Sequence, residues 1–429
     1  MHVRPDRYAD LAAGEFLERL GARWALRDDA DRCDGGQDRR NREFRVAHRA
    51  DHRRELGHDR EVELSADERL ESVSPVGGKL VANYTHNASS ELLVFPKDGG
   101  KGEPVALPSI GSTGGFNGLW NSKVGFYTFD TYDVPATVYE YDFATGKSSV
   151  WAANKVPIDP NQFQIQQVWY ESKDKTRIPM FLFSKKGMKL DGSNPVLLTA
   201  YGGFNVSETP AYSSFFVTWV EMGGIVAEPN IRGGGEFGED WHRAGMMEKK
   251  QNVFDDFQAA AEFLISSKYT EKAKLAIMGG SNGGLLMGAS VTQRPDLFQA
   301  VVCTYPLLDM LRYQKFEDGP YWVSEYGSAD KPDQFQYIVK YSPYQNVKKG
   351  TKYPAVLFVT GDGDTRVDPL HARKMTAEMQ ADNASDNPIL LLYDTKSGHS
   401  GGRPIKKIIE ENTDILSFLT WQLGMNAAH

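Results

Sequence analysis

Between about Leu64 and Ala153, apolar and polar residues alternate in short runs, Lys79–Tyr84, Glu91–Phe95, Lys123–Phe129 and Thr137–Tyr141. Turn formers such as Lys97-Asp98-Gly99-Gly100 and Thr145-Gly146 separate them. A period of two turns one face of an extended chain toward a core, so the pattern predicts a meander of antiparallel strands. Such meanders build sheets or propeller blades, and a closed propeller takes about four to eight blades of roughly 40 to 50 residues. Residues 63–157 hold enough for about two blades, a partial all-β, propeller-like segment that cannot close a ring. Beyond about Asn161 the pattern changes. Compact apolar runs, Pro195–Ala200, Gly224–Ala227, Leu275–Met278, Ala355–Thr360 and Ile389–Tyr393, alternate with stretches of helical spacing. The helical stretches are Phe254-Phe257-Ala261-Leu264, Leu285–Thr292, His371–Met379 and Ile405–Leu423. Apolar strands separated by helices mark a mostly parallel, doubly wound sheet covered on both faces. Residues 158–429 are therefore expected to form an α/β domain with its ligand site beyond the carboxyl ends of the strands.

Residues 1–62 fit neither pattern: they are rich in Arg, Asp and His, and no Lys precedes Lys79. They are expected to be an irregular segment, disordered or aberrant, and no fold is assigned to them. Across the 429 residues the formal charge is -8. That balance excludes a phosphate-binding surface of concentrated Lys and Arg, so no nucleic-acid partner is expected. The two cysteines, Cys33 and Cys303, make neither a disulfide framework nor a C-x-x-C metal pattern. No apolar run reaches membrane-spanning length and Met1–Phe16 has no apolar leader core. The expected location is the cytoplasm, without membrane association, unless a different start carries an export signal.

Chemistry concentrates at the predicted strand ends. Gly279-Gly280-Ser281-Asn282-Gly283-Gly284 follows the strand Lys274–Met278 and opens the helix Leu285–Thr292. A G-x-S-x-G turn between strand and helix needs small residues because it is strained and tightly packed, and it lifts a nucleophilic Ser to a helix N-terminus. The backbone N–H of Asn282 then lies ready to hold an oxyanion. Such an elbow implies the α/β-hydrolase fold, in which an acid and then a His follow the Ser along the chain. After Ala355–Thr360 comes Gly361-Asp362-Gly363-Asp364-Thr365-Arg366-Val367-Asp368, and after Ile389–Tyr393 comes a glycine-flanked His399. His399 is the better base, since His371 sits in the next helix. Spacing alone leaves Asp362, Asp364 and Asp368 open as the acid. A calcium loop would want Gly at its sixth position and Glu at its twelfth, where Val367 and Arg373 stand. Gly233-Gly234-Gly235-Glu236-Phe237-Gly238 matches a dinucleotide fingerprint, but Glu236, Glu239 and Asp240 would set negative charge against a pyrophosphate.

Tyr201-Gly202-Gly203-Phe204-Asn205, Asn230-Ile231-Arg232-Gly233-Gly234-Gly235-Glu236, the Ser281 elbow, Asp364-Thr365-Arg366-Val367 and Ser397-Gly398-His399 occur in one order. Together they resemble the prolyl oligopeptidase family of serine peptidases from about residue 160 to about 425. The resemblance implies cleavage of short peptides on the carboxyl side of proline, without cofactor or metal, by a monomer. It implies Ser281, Asp364 and His399 as the triad, and Tyr201 as the hydroxyl that joins the Asn282 amide in the oxyanion hole. It further implies Arg366 on the carbonyl before the proline, Trp322 stacked on the proline ring, and Phe204, Leu307, Tyr326 and Val367 around the specificity pocket. An aromatic slab suits a rigid, apolar ring. The family carries a seven-bladed propeller over the active site and an N-terminal segment packed on the hydrolase domain; here both are incomplete, which implies an uncovered mouth. Alternatives are a related serine hydrolase, an aminoacyl-peptide hydrolase or esterase, and an inactive truncated fragment.

Overall fold

The computed structural model describes residues 68–399 and 403–425, together with a short antiparallel pair, β1 (Glu43–Arg45) and β2 (Glu61–Glu63). Apart from that pair, the expectation for residues 1–62 lies outside the described residues.

Eight further strands form two four-stranded antiparallel sheets. The first runs β3 (Glu68–Val76), β4 (Lys79–His86), β5 (Ser89–Pro96) and β6 (Glu103–Pro104); the second contains β7 (Ser112–Asn117), β8 (Val124–Thr131), β9 (Val134–Asp142) and β10 (Lys147–Ala153). The tight hairpins have a backbone cause. Gly77-Gly78 joins paired Val76 and Lys79, and Asn87-Ala88 joins paired His86 and Ser89; all four turn residues have positive φ. Two-residue loops of that conformation match the twist of the strands they connect. Val81, Leu92, Val94, Phe116, Tyr127, Phe129 and Tyr141 close a core between the sheets. On β8 the alternation is visible directly, with Tyr127, Phe129 and Thr131 buried and Thr128 exposed. Strand β10 leaves Val150 and Trp151 exposed.

The second half is one eight-stranded sheet. Its strands are β11 (Phe163–Glu171), β12 (Arg177–Lys185), β13 (Val196–Thr199), β14 (Ile225–Pro229), β15 (Leu275–Gly280), β16 (Ala300–Thr304), β17 (Ala355–Gly361) and β18 (Ile389–Asp394), in the order β11-β12-β14-β13-β15-β16-β17-β18. From β14 through β18 all neighbours are parallel, while β11 and β12 run antiparallel. Among the described residues, eight helices accompany the sheet: α1 (Ser214–Glu221), α2 (Glu239–Arg243), α3 (Gln251–Ser266), α4 (Asn282–Gln293), α5 (Val323–Tyr326), α6 (Pro332–Tyr341), α7 (Leu370–Asp382) and α8 (Ile405–Gln422). Val196 and Leu198 face a core shared with Phe254, Phe257 and Leu264 of α3 and Leu285 of α4; Leu197 faces the opposite core with Trp219 of α1 and Phe418 of α8. The sheet is thus buried on both sides, which explains why its strands read as unbroken apolar runs. The expected doubly wound architecture is the one observed. None of the described helices is long and apolar enough to cross a membrane.

The chain proceeds from β13 outward to β14, then returns to lay β15 on the other side of β13. That reversal creates a crevice at the carboxyl ends of β13 and β15, the place where open α/β sheets bind ligands. Tyr201 follows the first of these strands and Ser281 the second. The blades rest on the same domain: Ala88 and Tyr132 are buried in the α1–α8 core, and Tyr132 stacks on Phe183 with ring centroids 5.6 Å apart.

Candidate active site

Ser281 occupies the junction of β15 and α4 with φ 57° and ψ −117°. A side-chain-bearing residue reaches that region only when its surroundings enforce it. Here the enforcement is close packing: a Cβ on Gly279 would stand 2.6 Å from the Gly283 carbonyl oxygen, and one on Gly284 would stand 2.6 Å from Pro306 Cβ. Backbone bonds fix the turn, with Ser281 N–H donating to the Thr304 carbonyl at 3.0 Å and the Ser281 carbonyl accepting from Gly284 at 2.9 Å. As the residue preceding α4, Ser281 stands where the first amides of a helix have no intrahelical acceptor and the dipole favours negative charge. Asn282 offers its backbone N–H there.

The candidate acid and base follow β17 and β18. His399 Nδ1 lies 2.8 Å from Asp364 Oδ2. The other Asp364 oxygen accepts from the amides of Arg366 at 3.0 Å and Val367 at 2.9 Å, so the carboxylate is oriented by its own loop. Its side chain is fully buried and the imidazole is largely so. With the carboxylate accepting at Nδ1, the proton sits there and Nε2 is left as the basic nitrogen. Geometry separates the three acidic candidates: Asp368 caps the amide of Leu370 at 2.8 Å and Asp362 pairs with the Tyr393 hydroxyl. His371 is buried, and its Nδ1 accepts from the Asp309 amide at 3.0 Å. Burial pulls its pKa down to about 4, which keeps it neutral.

Ser281 and His399 share the wall of a cavity of about 560 Å³ with Thr304, Tyr305, Arg403 and Glu411. The Ser281 side chain stands close enough to the Tyr201 phenol to lower its pKa. Among the described residues a hydrogen bond pairs His399 with Asp364, and none joins Ser281 to His399. Burial holds the Tyr201 phenol above its usual range; Ser281 and Arg366 pull it down while Glu208 and Glu325 push it up. It is therefore a neutral donor at physiological pH. Tyr305, with φ 48°, sets its ring 5.4 Å from the imidazole. Its hydroxyl donates to Glu411 at 2.8 Å and accepts from Arg403 at 2.8 Å.

The remaining candidates lie outside the lining of that cavity. Leu307, Tyr326 and Val367 are buried in one core cluster, with Phe204 and Trp322 packed partly exposed against it. Phe204 meets Tyr326 edge-on at 5.5 Å, and the Tyr326 hydroxyl donates to Asn282 Oδ1 at 2.8 Å. These five do not line the cavity that holds Ser281 and His399. Arg366 projects with 63% of its side chain exposed, 3.8 Å from Asp318 just ahead of the Trp322 turn. The glycine-rich loop 233–238 is packed by its own Glu236, and a Cβ on Gly233 would meet the Gly202 carbonyl at 2.6 Å. It thus buttresses the Tyr201 loop. Sequence reasoning missed Tyr305, Arg403 and Glu411 behind the imidazole, and also Lys250, Glu325 and His242 behind Asn282. A motif search has no handle on the first three, because their roles arise from contacts between distant segments.

Residues 210–426 match the model of the prolyl oligopeptidase family, and residues 43–154 match that of the prolyl oligopeptidase N-terminal beta-propeller domain. The second match begins inside the segment that carried no fold assignment from sequence. The prolyl endopeptidase of Elizabethkingia miricola is 44% identical over 354 residues, covering 82% of this chain and 50% of the relative. That of Elizabethkingia meningoseptica is 43% identical over 369 residues, covering 86% and 52%. Among solved structures, prolyl oligopeptidase B from Galerina marginata bound to a 35mer hydrolysis and macrocyclization substrate superposes with a TM-score of 0.81 at 37% identity, over 86% of this chain and 53% of that one. A post-proline cleaving enzyme from Rickettsia typhi gives 0.78 at 33% identity, over 86% and 54%. The chain spans about half the length of the curated relatives it matches.

Proposed function

The chain belongs to the prolyl oligopeptidase family, and from that premise we propose that it is a serine oligopeptidase cleaving short peptides on the carboxyl side of proline. The observation that carries the proposal is the 2.8 Å contact between His399 and a buried Asp364, on a cavity whose wall includes Ser281 at a strained strand–helix elbow.

In this reading His399 Nε2 takes the Ser281 proton as the hydroxyl attacks the carbonyl carbon of the proline itself, whose bond to the next residue's nitrogen is the one that breaks. Asp364 keeps the imidazole in the required tautomer and stabilises the imidazolium. The Ser281–His399 hydrogen bond forms as the acyl group is seated, the step at which catalytic hydrogen bonds tighten. Tyr201 O–H and Asn282 N–H receive the oxyanion. The imidazolium then protonates the leaving amine, and water, activated by the same imidazole, releases the acyl group from Ser281. Trp322, Phe204, Leu307, Tyr326 and Val367 form the apolar wall for the proline ring, and Arg366 turns from Asp318 toward the preceding carbonyl. An Arg–Asp pair this exposed contributes about 1 kcal/mol or less, so little opposes that turn. The proposal extends to a monomer working in the cytoplasm, which size-exclusion chromatography and cell fractionation test.

A fluorophosphonate label provides the main test. It is expected to modify the folded parent and not Ser281→Ala. Steady-state hydrolysis should favour a proline p-nitroanilide peptide over its alanine analogue and over a simple ester. A folded parent that takes no label rejects the acyl-enzyme reading. Equal turnover of the alanine peptide or the ester retains a serine hydrolase but rejects proline specificity.

A further inference from the structure

Directly behind the oxyanion residues lies a charge that no motif announces. Lys250 stands immediately before α3 and is 1% exposed, although Glu248-Lys249-Lys250-Gln251 reads as a surface run. Its Nζ donates to the Gly202 carbonyl at 2.9 Å and to Asn282 Oδ1 at 3.3 Å, and lies 3.7 Å from Glu325 Oε1. Nζ also sits 5.3 Å from the centre of the Tyr326 ring. An ammonium has three donors and no acceptor. Here three acceptors surround it, each from a different segment: the loop after β13, the start of α4, and α5.

The partners are themselves fixed. Asn282 Nδ2 donates to the Tyr201 carbonyl at 2.6 Å, and its Oδ1 also accepts from the Tyr326 hydroxyl. Gly203 lies so close that a Cβ there would stand 2.7 Å from Asn282 Nδ2. Glu325 Oε1 accepts from the Phe204 amide at 3.1 Å, and its Oε2 lies 2.8 Å from His242 Nε2. His242 Nδ1 faces Glu239 at 3.4 Å, and Glu239 takes Arg243 at 3.0 Å. The chain of contacts runs from the surface to the backbone of Tyr201 and Asn282.

Stability alone does not account for a lysine here. Burying an ammonium is unfavourable, and replacing a buried ion pair with apolar side chains is often neutral or stabilising. Burial in fact pulls the Lys250 pKa down to about 8, with Glu325 pulling the other way. What an apolar residue cannot supply is the simultaneous grip on the Gly202 carbonyl and the Asn282 side chain.

We propose that Lys250 is a positioning residue for the oxyanion hole, holding the Tyr201 loop and Asn282 at a fixed separation so that phenol and amide converge on one oxygen. The inference rests on the acyl-transfer reading above. It assigns Lys250 no contact with substrate; its effect passes through Tyr201 and Asn282.

The test uses the full chain as Lys250→Met and as Lys250→Met/Glu325→Gln, with turnover of the proline p-nitroanilide peptide, fluorophosphonate labelling and thermal melting. Met keeps the length and apolar character of the stem. Lys250→Met should lower kcat about 10- to 100-fold, since a displacement near 1 Å in a catalytic array has effects of about that size, and should leave KM within about 3-fold. The single variant takes from buried Glu325 its lysine partner, leaving it the Phe204 amide and His242, and melts earlier; the double variant replaces the carboxyl with a neutral amide and regains thermal stability. Its kcat should nonetheless stay low. Recovery of kcat along with stability in the double variant overturns the proposal, as does a kcat within about 3-fold of the parent in either variant. If the single variant does not fold, the double variant decides alone. A parent that neither hydrolyses the peptide nor takes the label overturns the acyl-transfer reading first, and this inference with it.

Discussion

Asp364→Asn isolates the role of charge and tautomer at nearly constant shape. One Asp364 oxygen serves two backbone amides, at 3.0 and 2.9 Å, and the other serves His399 Nδ1 at 2.8 Å. An Asn has only one acceptor oxygen. The two amides hold it, because turning the side chain over would aim an NH2 group at two N–H donors. The amide nitrogen of the substituted side chain then faces Nδ1 and needs an acceptor there, which shifts the imidazole proton to Nε2. A His protonated at Nε2 cannot accept the Ser281 proton. Loss of the correct tautomer and of the carboxylate is worth about 10³- to 10⁴-fold in kcat, or roughly 4–5.5 kcal/mol of barrier. Stability should fall by only about 1–2 kcal/mol, because the two amide bonds persist with a neutral acceptor. Turnover of a proline p-nitroanilide peptide, compared with thermal melting of the same preparation, separates the two effects. A folded Asp364→Asn protein that keeps more than about a tenth of the parental kcat would refute the triad assignment, since wrong-tautomer losses are orders of magnitude larger.

Arg366→Ala should leave the melting temperature nearly unchanged, since the side chain is 63% exposed and its pair with Asp318 is long. On a proline peptide it should reduce kcat/KM about 10- to 100-fold, the worth of one charged hydrogen bond, and an unchanged value removes Arg366 from the substrate contacts. Trp219→Ala should destabilise the α/β domain by about 3–5 kcal/mol, read from denaturant melts, because it empties a fully buried site and strands the Ile225 carbonyl that the indole N–H satisfies at 2.9 Å. Glu228, bonded to Tyr132 at the blade contact, has its pKa pushed up to about 8 by burial first and by Glu208 next. The folded state therefore binds a proton that the unfolded state releases near its ordinary value of 4.5. That contribution is complete below the unfolded value and is lost as pH climbs through about 8. Glu228→Gln should accordingly flatten the fall in melting temperature between about pH 6 and 8; parallel curves for parent and variant would show that the carboxyl is not buried as described.

Strands that carry the chemistry were legible because their physics is local. Pro195–Ala200, Leu275–Met278 and Ala355–Thr360 are short apolar runs ending in glycine-rich or polar turns, and each proved an interior strand of the sheet. Ala300–Thr304 was not singled out, although it lies between β15 and β17. Its apolar stretch runs on through Tyr305-Pro306-Leu307-Leu308, so no turn signal marks its end. Strand β3 escaped for a different reason: Arg69 and Glu71 give it a charged surface, and its partners supply the burial. At the site, spacing left three carboxylates open because distance along the chain does not say which one faces an imidazole 35 residues later. The contact itself separates them. Lys250 and Glu325 mark the sharper limit, since a charged residue in a polar run is read as solvated. Only the convergence of α3, α4 and α5 on one point makes burial tolerable.

The same convergence connects the blades to the reaction centre. The loop after Tyr201 is gripped from below by Lys250 and from the side by the glycine-rich loop, where Asn205 N–H donates to the Gly233 carbonyl at 3.2 Å. From the blades, Arg69 Nη1 donates to the Gly235 carbonyl at 2.8 Å and Ser112 Oγ to the Pro210 carbonyl at 2.7 Å. Glu236, between these points, accepts from the Glu208 amide at 2.8 Å. Each blade contact thus ends on backbone one or two links from the segment that aims the Tyr201 phenol. Backbone carbonyls bonded in this way cannot shift independently of their partners without leaving polar atoms unpaired. Loosening the blades should therefore be felt at Tyr201 and Asn282 before it is felt at His399, whose nearest supports, Asp364, Tyr305, Arg403 and Glu411, all belong to the α/β domain.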